Sequence, residues 1–366
     1  MLLVFTVILV ALIFTYTNGF HDTANAIATV VGTRVLTPRQ AIVLATITNL
    51  LGAMWGAAVA KTIITGIVDA NFIAPGFASQ MLICALLAAI FWNLLTWYFG
   101  LPSSSSHALI GGLMGAAVAT SRGNWRAVIW SHAPAAGQPW WTGGGVLYKV
   151  VIPMVISPVF GFVIAFVLMT ALYFMLRKAR PMAVSRTFGR LQLASSAYMG
   201  FAHGTNDAQK TMGIIALALV AGTKSGSFDT LPDWLGFLKT VEPLPGAKLD
   251  IALWIKILCA LTMAAGTASG GWRIIRTLGH KLVKLQPIHG FAAETAGATV
   301  LFGTAAMGMP VSTTHVITAS IMGVGAAKRW TAVKWAVVEE IVWAWVLTLP
   351  VSAALAYCLV KLVERF

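Results

Sequence analysis

The sequence predicts an all-α polytopic membrane protein of about ten transmembrane spans, arranged as two inverted-topology repeats with discontinuous helices. Composition is the first observation: 58% of the 366 residues are hydrophobic and 10% charged, and the mean hydropathy is +0.82. A soluble domain carries roughly 25% charged residues, whereas lipid accepts apolar surface on every side of a helical bundle. The second is a succession of apolar windows, each close to the roughly 20 residues needed to cross about 30 Å of hydrocarbon. The third is a pair of polar motifs in the first half of the chain that recur, in the same order, in the second half.

The first five windows lie at 3–33, with a polar interruption, and at 40–60, 81–100, 103–120 and 150–176. The second five lie at 191–221, 250–270, 288–308, 309–327 and 335–360. The opening run MLLVFTVILVALIFTYTNGF has neither a basic n-region nor a small-residue cleavage site before a polar mature segment, so it reads as the first span. Residues 122–149 contain SHAPAAGQPWWTGGG, too broken by Pro and Gly to cross, with Trp140 and Trp141 suited to an interfacial belt. Residues 223–249 carry the turn signals PDW and PLPG and read as an outer loop. Cys84, Cys259 and Cys358 are far apart, flanked by apolar residues, and read as small core hydrophobes.

Charge sets the expected orientation. With the N-terminus outside, the inner loops hold Arg34 and Arg39, then Arg177, Lys178, Arg180, Arg186 and Arg190, then Arg273, Arg276, Lys281 and Lys284, then Lys328, Arg329 and Lys334, with no acidic residue. Asp69, Asp229, Asp233, Glu242, Asp250 and Glu364 fall on the other side. The positive-inside rule then places both termini outside a cell inner membrane. The net charge of +14 follows the same loops, and no basic segment is long enough to make a nucleic-acid stripe.

The repeat is carried by polar residues. GFHDTAN at Gly19–Asn25 pairs with GTNDAQK at Gly204–Lys210, setting Asp22 against Asp207; PSSSSHALIGGLMG at Pro102–Gly115 aligns with PVSTTHVITASIMG at Pro310–Gly323. Five spans per half is an odd number, so the second half enters the membrane from the opposite side. The division is residues 1–176 as first repeat, 177–190 as a short basic linker, and 191–366 as second repeat. Gly52 and Gly56, matched by Gly266 and Gly270, read as close helix packing in the second span of each half.

An aspartate in hydrocarbon costs at least about 2.5 kcal/mol, so Asp22 and Asp207 require a reason to be there. Their Asn, Thr and Gly neighbours supply hard oxygen ligands and suit Na⁺ or a proton at an unwound stretch of helix. PSSSSH and PVSTTH open with Pro and offer Ser or Thr caps, so they read as helix starts. Free amides and hydroxyls at two opposed helix starts would grip a tetrahedral oxyanion from both sides. His107 and His315 close the motifs as supporting residues, and Glu294, inside the eighth window, requires a partner for which a cation or proton fits. Glu339 and Glu340, near Lys334, read as locally paired. A hydrolytic triad of Ser105, His107 and Asp22 is disfavoured, because the hydroxyl and His motif recurs in both halves without a nucleophile-elbow glycine pattern.

At GFHDTANA, HGTNDAQKTMG, PSSSSHALIGG and PVSTTHV the sequence resembles the PiT family of inorganic phosphate transporters, and the likeness extends over nearly the whole chain. That family's signature is an Asn-Asp pair followed by Ala and Asn; here His21 stands where Asn is usual, and Gln209 and Lys210 follow the second Asp, as in bacterial members. The resemblance implies a non-enzymatic symporter that imports phosphate with Na⁺ or H⁺, in many bacterial members as a metal complex, while some relatives move sulfate. It implies phosphate binding by Asn25, Ser104, Ser105, Ser106, Asn206, Lys210, Ser312, Thr313 and Thr314, and cation coupling by Asp22, Asp207 and Glu294, with Na⁺ on Asp22 and Asp207 if sodium is used. No permanently bound cofactor and no nucleic acid are expected; the partners are phosphate, the coupling ion and the bilayer, with a homodimer left open. The short linker between the halves favours a bacterial or archaeal origin.

Overall fold

The computed structural model describes residues 1–73, 76–229, 232–240 and 251–365. Twelve α-helices are described: α1 (Leu2–Gly32), α2 (Pro38–Ala53), α3 (Ala58–Thr65), α4 (Ala78–Phe99), α5 (Ser105–Thr120), α6 (Ile152–Leu176), α7 (Pro181–Lys224), α8 (Leu253–Ser269), α9 (Trp272–Arg276), α10 (Pro287–Ala306), α11 (Thr313–Lys328) and α12 (Trp335–Val363). Among the described residues the only β pairing is two isolated bridges in the 122–149 region and its neighbour, which joins Val68 to Val128 and His132 to Gly144. That region otherwise holds short turns around Trp125 and Trp140, in keeping with a segment that does not cross. The PLPG turn at 243–246, Glu242 and Asp250 lie outside the described residues.

Local chemistry sets the helix starts. Thr37 and Gln40 form a reciprocal capping box ahead of Pro38, and Ser104 and Ser312 each accept a hydrogen bond from the backbone N–H three residues on. Pro181 and Pro287 occupy the first helical positions of α7 and α10, where a missing N–H costs nothing. The basic segment 177–190 is less of a linker than expected: from Pro181 onward it is the opening of α7, a helix of 44 residues.

By length and composition α1, α4, α6 (from Leu147) and α12 can cross a membrane, and up to six crossings result if each bent pair, α2 with α3 and α8 with α9, is one span. The remaining windows fall on α5 and α11, whose 16 residues each reach only about 24 Å, on α10, and on α7, where polar residues divide the apolar run. The helix breaks also sit elsewhere than expected. The motifs at Gly19–Asn25 and Gly204–Lys210 stay helical, because their polar side chains find partners on neighbouring helices and the backbone hydrogen bonds need not open. The chain bends instead by 65° between α2 and α3 and by 58° between α8 and α9. Gly56 (φ +80°) and Gly270 (φ +72°) lie at these bends in left-handed backbone, a conformation other residues rarely adopt. Only the first glycine of each expected pair is a packing residue: a methyl at Gly52 would overlap the carbonyl of Phe201, and one at Gly266 that of Tyr16.

Helices of the two sequence halves are interwoven. α5 packs on α12 and α11 on α6; α2 packs on α7 and α1 on α8. α6 and α12 form the outer wall, with only 28% and 22% of their most apolar windows buried, against 50% in α1 and 56% in α4.

Candidate functional site

Four elements converge on one buried cluster. The middle of α1 brings Asp22 and Asn25, and the middle of α7 brings His203, Asp207 and Lys210; the starts of α5 and α11 bring Ser104–Ser106 and Ser312–Thr314. Every one of these side chains is buried. Spacing explains the convergence on α7, since positions 203, 207 and 210 recur at i, i+4 and i+7 and so share a helix face.

Asp22 accepts hydrogen bonds at Oδ1 from Thr314 Oγ1 (3.3 Å) and at Oδ2 from Ser105 Oγ (3.1 Å), so one carboxylate is held by hydroxyls from both helix starts. His21 Nδ1 lies 2.8 Å from Asp22 Oδ1, and its Nε2 lies 3.2 Å from the hydroxyl of Thr96, itself 2.8 Å from that of Ser103. Asp207 mirrors this arrangement, with His203 Nε2 3.2 Å from Oδ2, Thr313 Oγ1 donating to the same oxygen at 3.4 Å, and Lys210 Nζ on Oδ1. The residues three positions after each aspartate cross to the other half. Asn25 Nδ2 donates to Thr313 Oγ1 (3.0 Å) and Thr314 Oγ1 (2.9 Å), while Lys210 Nζ donates to Ser106 Oγ and sits 3.5 Å from the carbonyl of Val311.

Asp22, His203 and Asp207 each bring one ligand atom within 4.8 Å of the others, a separation that a single cation spans. Among the described residues these two buried carboxylates face one buried lysine, Lys210, and their mutual repulsion is relieved by a cation or proton. The donor set is mainly oxygen. The carboxylates are joined by hydroxyls and by Asn25, whose Oδ1 is a buried acceptor without a hydrogen-bond partner, as a hard cation prefers; Asn206, next to Asp207 in the chain, is buried with its amide oxygen likewise unpartnered. An imidazole nitrogen suits Na⁺ less well, and His203 is also held from behind by Asn49 Oδ1 at 3.1 Å from its Nδ1.

Of the expected site residues, Ser104 and Ser312 are caps, spending their oxygens on the N–H groups of His107 (3.1 Å) and His315 (3.2 Å). The two histidine rings meet edge to face, 4.9 Å between centroids, and His315 stacks on Trp345 at 4.0 Å. Both ring nitrogens of His107 lack a hydrogen-bond partner and Ser105 bonds Asp22 directly, so no Ser-His-Asp triad is assembled.

Glu294 does not join the cluster. Its carboxylate accepts from Thr29 Oγ1, Ser195 Oγ and Gln192 Nε2 (3.2 Å), at a junction of α1, α7 and α10. Thr29 is seven residues beyond Asp22, about 10 Å along the helix. The partners the structure supplies to this carboxylate, expected to meet a cation or proton, are three neutral donors. Glu339 and Glu340 are exposed on the opening turns of α12. Sequence reasoning missed His203, Gln192 and Ser195, although polar residues at 192, 195, 203, 207 and 210 recur on one face of the helix at a spacing that could be counted.

The chain as a whole is similar to known proteins. The model of the "Phosphate transporter family" matches residues 18–356. A "Probable low-affinity inorganic phosphate transporter" of Bacillus subtilis (strain 168) is 41% identical over 367 residues, covering 99% of both chains. A protein of the same name from Rhizobium meliloti (strain 1021) is 42% identical over 350 residues, covering 95% of this chain and 93% of its own. A solved structure titled "The sodium-dependent phosphate transporter" is similar with a TM-score of 0.79 and 25% identity, each chain covered in full. A match from the first polar motif to the last helix, joined to full-length relatives above 40% identity, establishes that this multi-pass membrane chain belongs to the phosphate transporter family.

Proposed function

We propose that this chain imports inorganic phosphate across the cell inner membrane by symport with a cation, Na⁺ fitting better than H⁺. The observation that carries the reading is the pair of buried carboxylates, Asp22 and Asp207, whose oxygens lie in one group within 4.8 Å beside hydroxyls from two helix starts. Phosphate is held by Ser105, Ser106, Thr313, Thr314, Asn25 and Lys210, whose side chains already interlock. Asn206 and the carboxylates hold the cation. The name of the sodium-dependent structural neighbour supports Na⁺, as do the partnerless amide oxygens. The two halves act as inverted repeats of five crossings each, which the matched pairings of α5 with α12 and α11 with α6 support.

The test is uptake of labelled phosphate by proteoliposomes under a Na⁺ gradient and a pH gradient imposed separately. Accumulation driven by Na⁺ alone is expected; accumulation driven only by the pH gradient assigns H⁺, and accumulation with neither refutes symport. Unlabelled sulfate in excess is expected to leave uptake unchanged, and a divalent-metal chelator distinguishes free phosphate from a metal complex.

Two further outcomes are expected. Ser105→Ala and Thr313→Ala, one on each helix start, should each weaken phosphate uptake by roughly fivefold or more, the equivalent of about 1 kcal/mol for a lost hydrogen bond, in protein that remains inserted. Loss on one side only would remove the two-sided grip. The basic loops place both termini outside, so cysteines introduced at positions 70 and 235 should react with an impermeant reagent in sealed cells and one at 183 should not. Labelling at 183 from outside would reverse the orientation.

A further inference from the structure

The corner between α6 and α7 holds a cavity of about 410 Å³, remote from the carboxylate cluster and closed on its third side by the start of α10. Its walls include Leu172, Leu176, Val184, Pro287 and Ile288, and Arg177 stands at its edge. The volume lies within the roughly 300–1,000 Å³ of small-ligand pockets. One wall is fixed in place: the hydroxyl of Tyr173 is 2.8 Å from His289 Nε2, and His289 Nδ1 accepts the backbone N–H of Gln286 at 3.0 Å. The cavity is therefore built into the helix junction rather than opened by a mobile side chain.

Its position in the membrane follows from α6. That helix is the most apolar candidate span and ends at Leu176, so Arg177 stands where hydrocarbon gives way to headgroups. Around the corner Phe174 is 69% exposed, Met175 75% and Met182 77%, apolar surface of a kind suited to lipid tails. Lys178 and Arg180 follow at the same edge, and no acidic residue occurs between 177 and 190. An apolar cleft at hydrocarbon depth beneath an uncompensated basic rim is complementary to one kind of molecule, which carries a hydrocarbon chain and a phosphate together.

We propose that this cavity is a binding site for an anionic phospholipid, one acyl chain lying between Leu176, Val184 and Ile288 and the headgroup phosphate on the guanidinium of Arg177. A general positive-inside bias attracts anionic lipids around the whole rim; the cavity adds a seat for a single one.

The test uses the full-length protein, exchanged into detergent and examined by native mass spectrometry after incubation with phosphatidylglycerol or phosphatidylcholine. Wild type is expected to retain one phosphatidylglycerol per chain and no phosphatidylcholine. Arg177→Gln should weaken retention by about fivefold or more, and Val184→Trp, which fills the cleft from a half-buried position, should remove it. Arg186→Gln, a charge loss on α7 outside the cavity, should leave it unchanged. Equal retention of phosphatidylcholine, equal loss in Arg186→Gln and Arg177→Gln, or retention by Val184→Trp would each overturn the site. Displacement of the lipid by glycerol phosphate would also overturn it, because that result assigns a soluble-anion site with no role for the cleft.

Discussion

Asp22→Asn and Asp207→Asn are each expected to abolish accumulation of phosphate against its own gradient, lowering the inside-to-outside ratio in proteoliposomes to one. The expectation comes from charge. With both carboxylates ionised and Lys210 protonated, the cluster carries one net negative charge in a fully buried setting. A phosphate dianion adds two more. Each uncompensated buried ion is penalised by several kcal/mol, so the loaded site requires cations that enter with the anion. Glu294 is not in this count because it lies outside the cluster, among two hydroxyls and an amide. By linkage, cation and phosphate each raise the other's affinity. Neutralising either aspartate removes the attraction for the cation while leaving hydroxyls and Lys210 to bind some phosphate. Full accumulation by both variants would sink the coupling scheme.

Lys210→Met should have the second largest effect, this time on stability as well as uptake. Lys210 is almost wholly buried and paired with Asp207, and it reaches across to Ser106 on the other half. Removing one member of a buried pair leaves an uncompensated charge and costs about 3–5 kcal/mol. Thermal unfolding of the solubilised protein should shift downward, and phosphate should no longer protect it. Combining Lys210→Met with Asp207→Asn removes the stranded charge, so the double variant is expected to regain much of the stability and none of the transport. A single variant as stable as wild type would show that Asp207 is neutral or otherwise compensated.

Which parts of this molecule could be read from its sequence follows from the range of the interactions concerned. The helix starts at PSSSSH and PVSTTH were legible because capping acts across three residues, but which hydroxyls cap was not: Ser104 and Ser312, expected on phosphate, are the caps. Asp22 and Asp207 stood out because a carboxylate in an apolar run has few explanations. The continuity of α1 through Gly19–Asn25 was not legible: whether a polar motif unwinds a helix depends on whether neighbours satisfy it, and Thr313, Thr314 and Ser105 lie far away in sequence. The surroundings of Glu294 were not legible for the same reason, its donors Thr29 and Gln192 being 265 and 102 residues distant. Gly56 and Gly270 illustrate a different ambiguity, since a glycine that lets helices touch and one that lets the chain turn are the same letter.

The interwoven pairing of the halves bears on how the protein is made. When the first 176 residues have left the ribosome, α5 has no α12 to rest on and α2 no α7, so seams shaped to take another backbone stand open in the bilayer. α4 and α5 can meet at once, but Gly111 and Gly115 of α5 wait for Leu349 and Ala353, near the end of the chain. Insertion and folding are therefore separate events here. The nascent first half must be sheltered by the insertion machinery or by lipid until the last helix arrives, and a chain interrupted before α12 presents quality control with an inserted protein whose central seam is still unfilled.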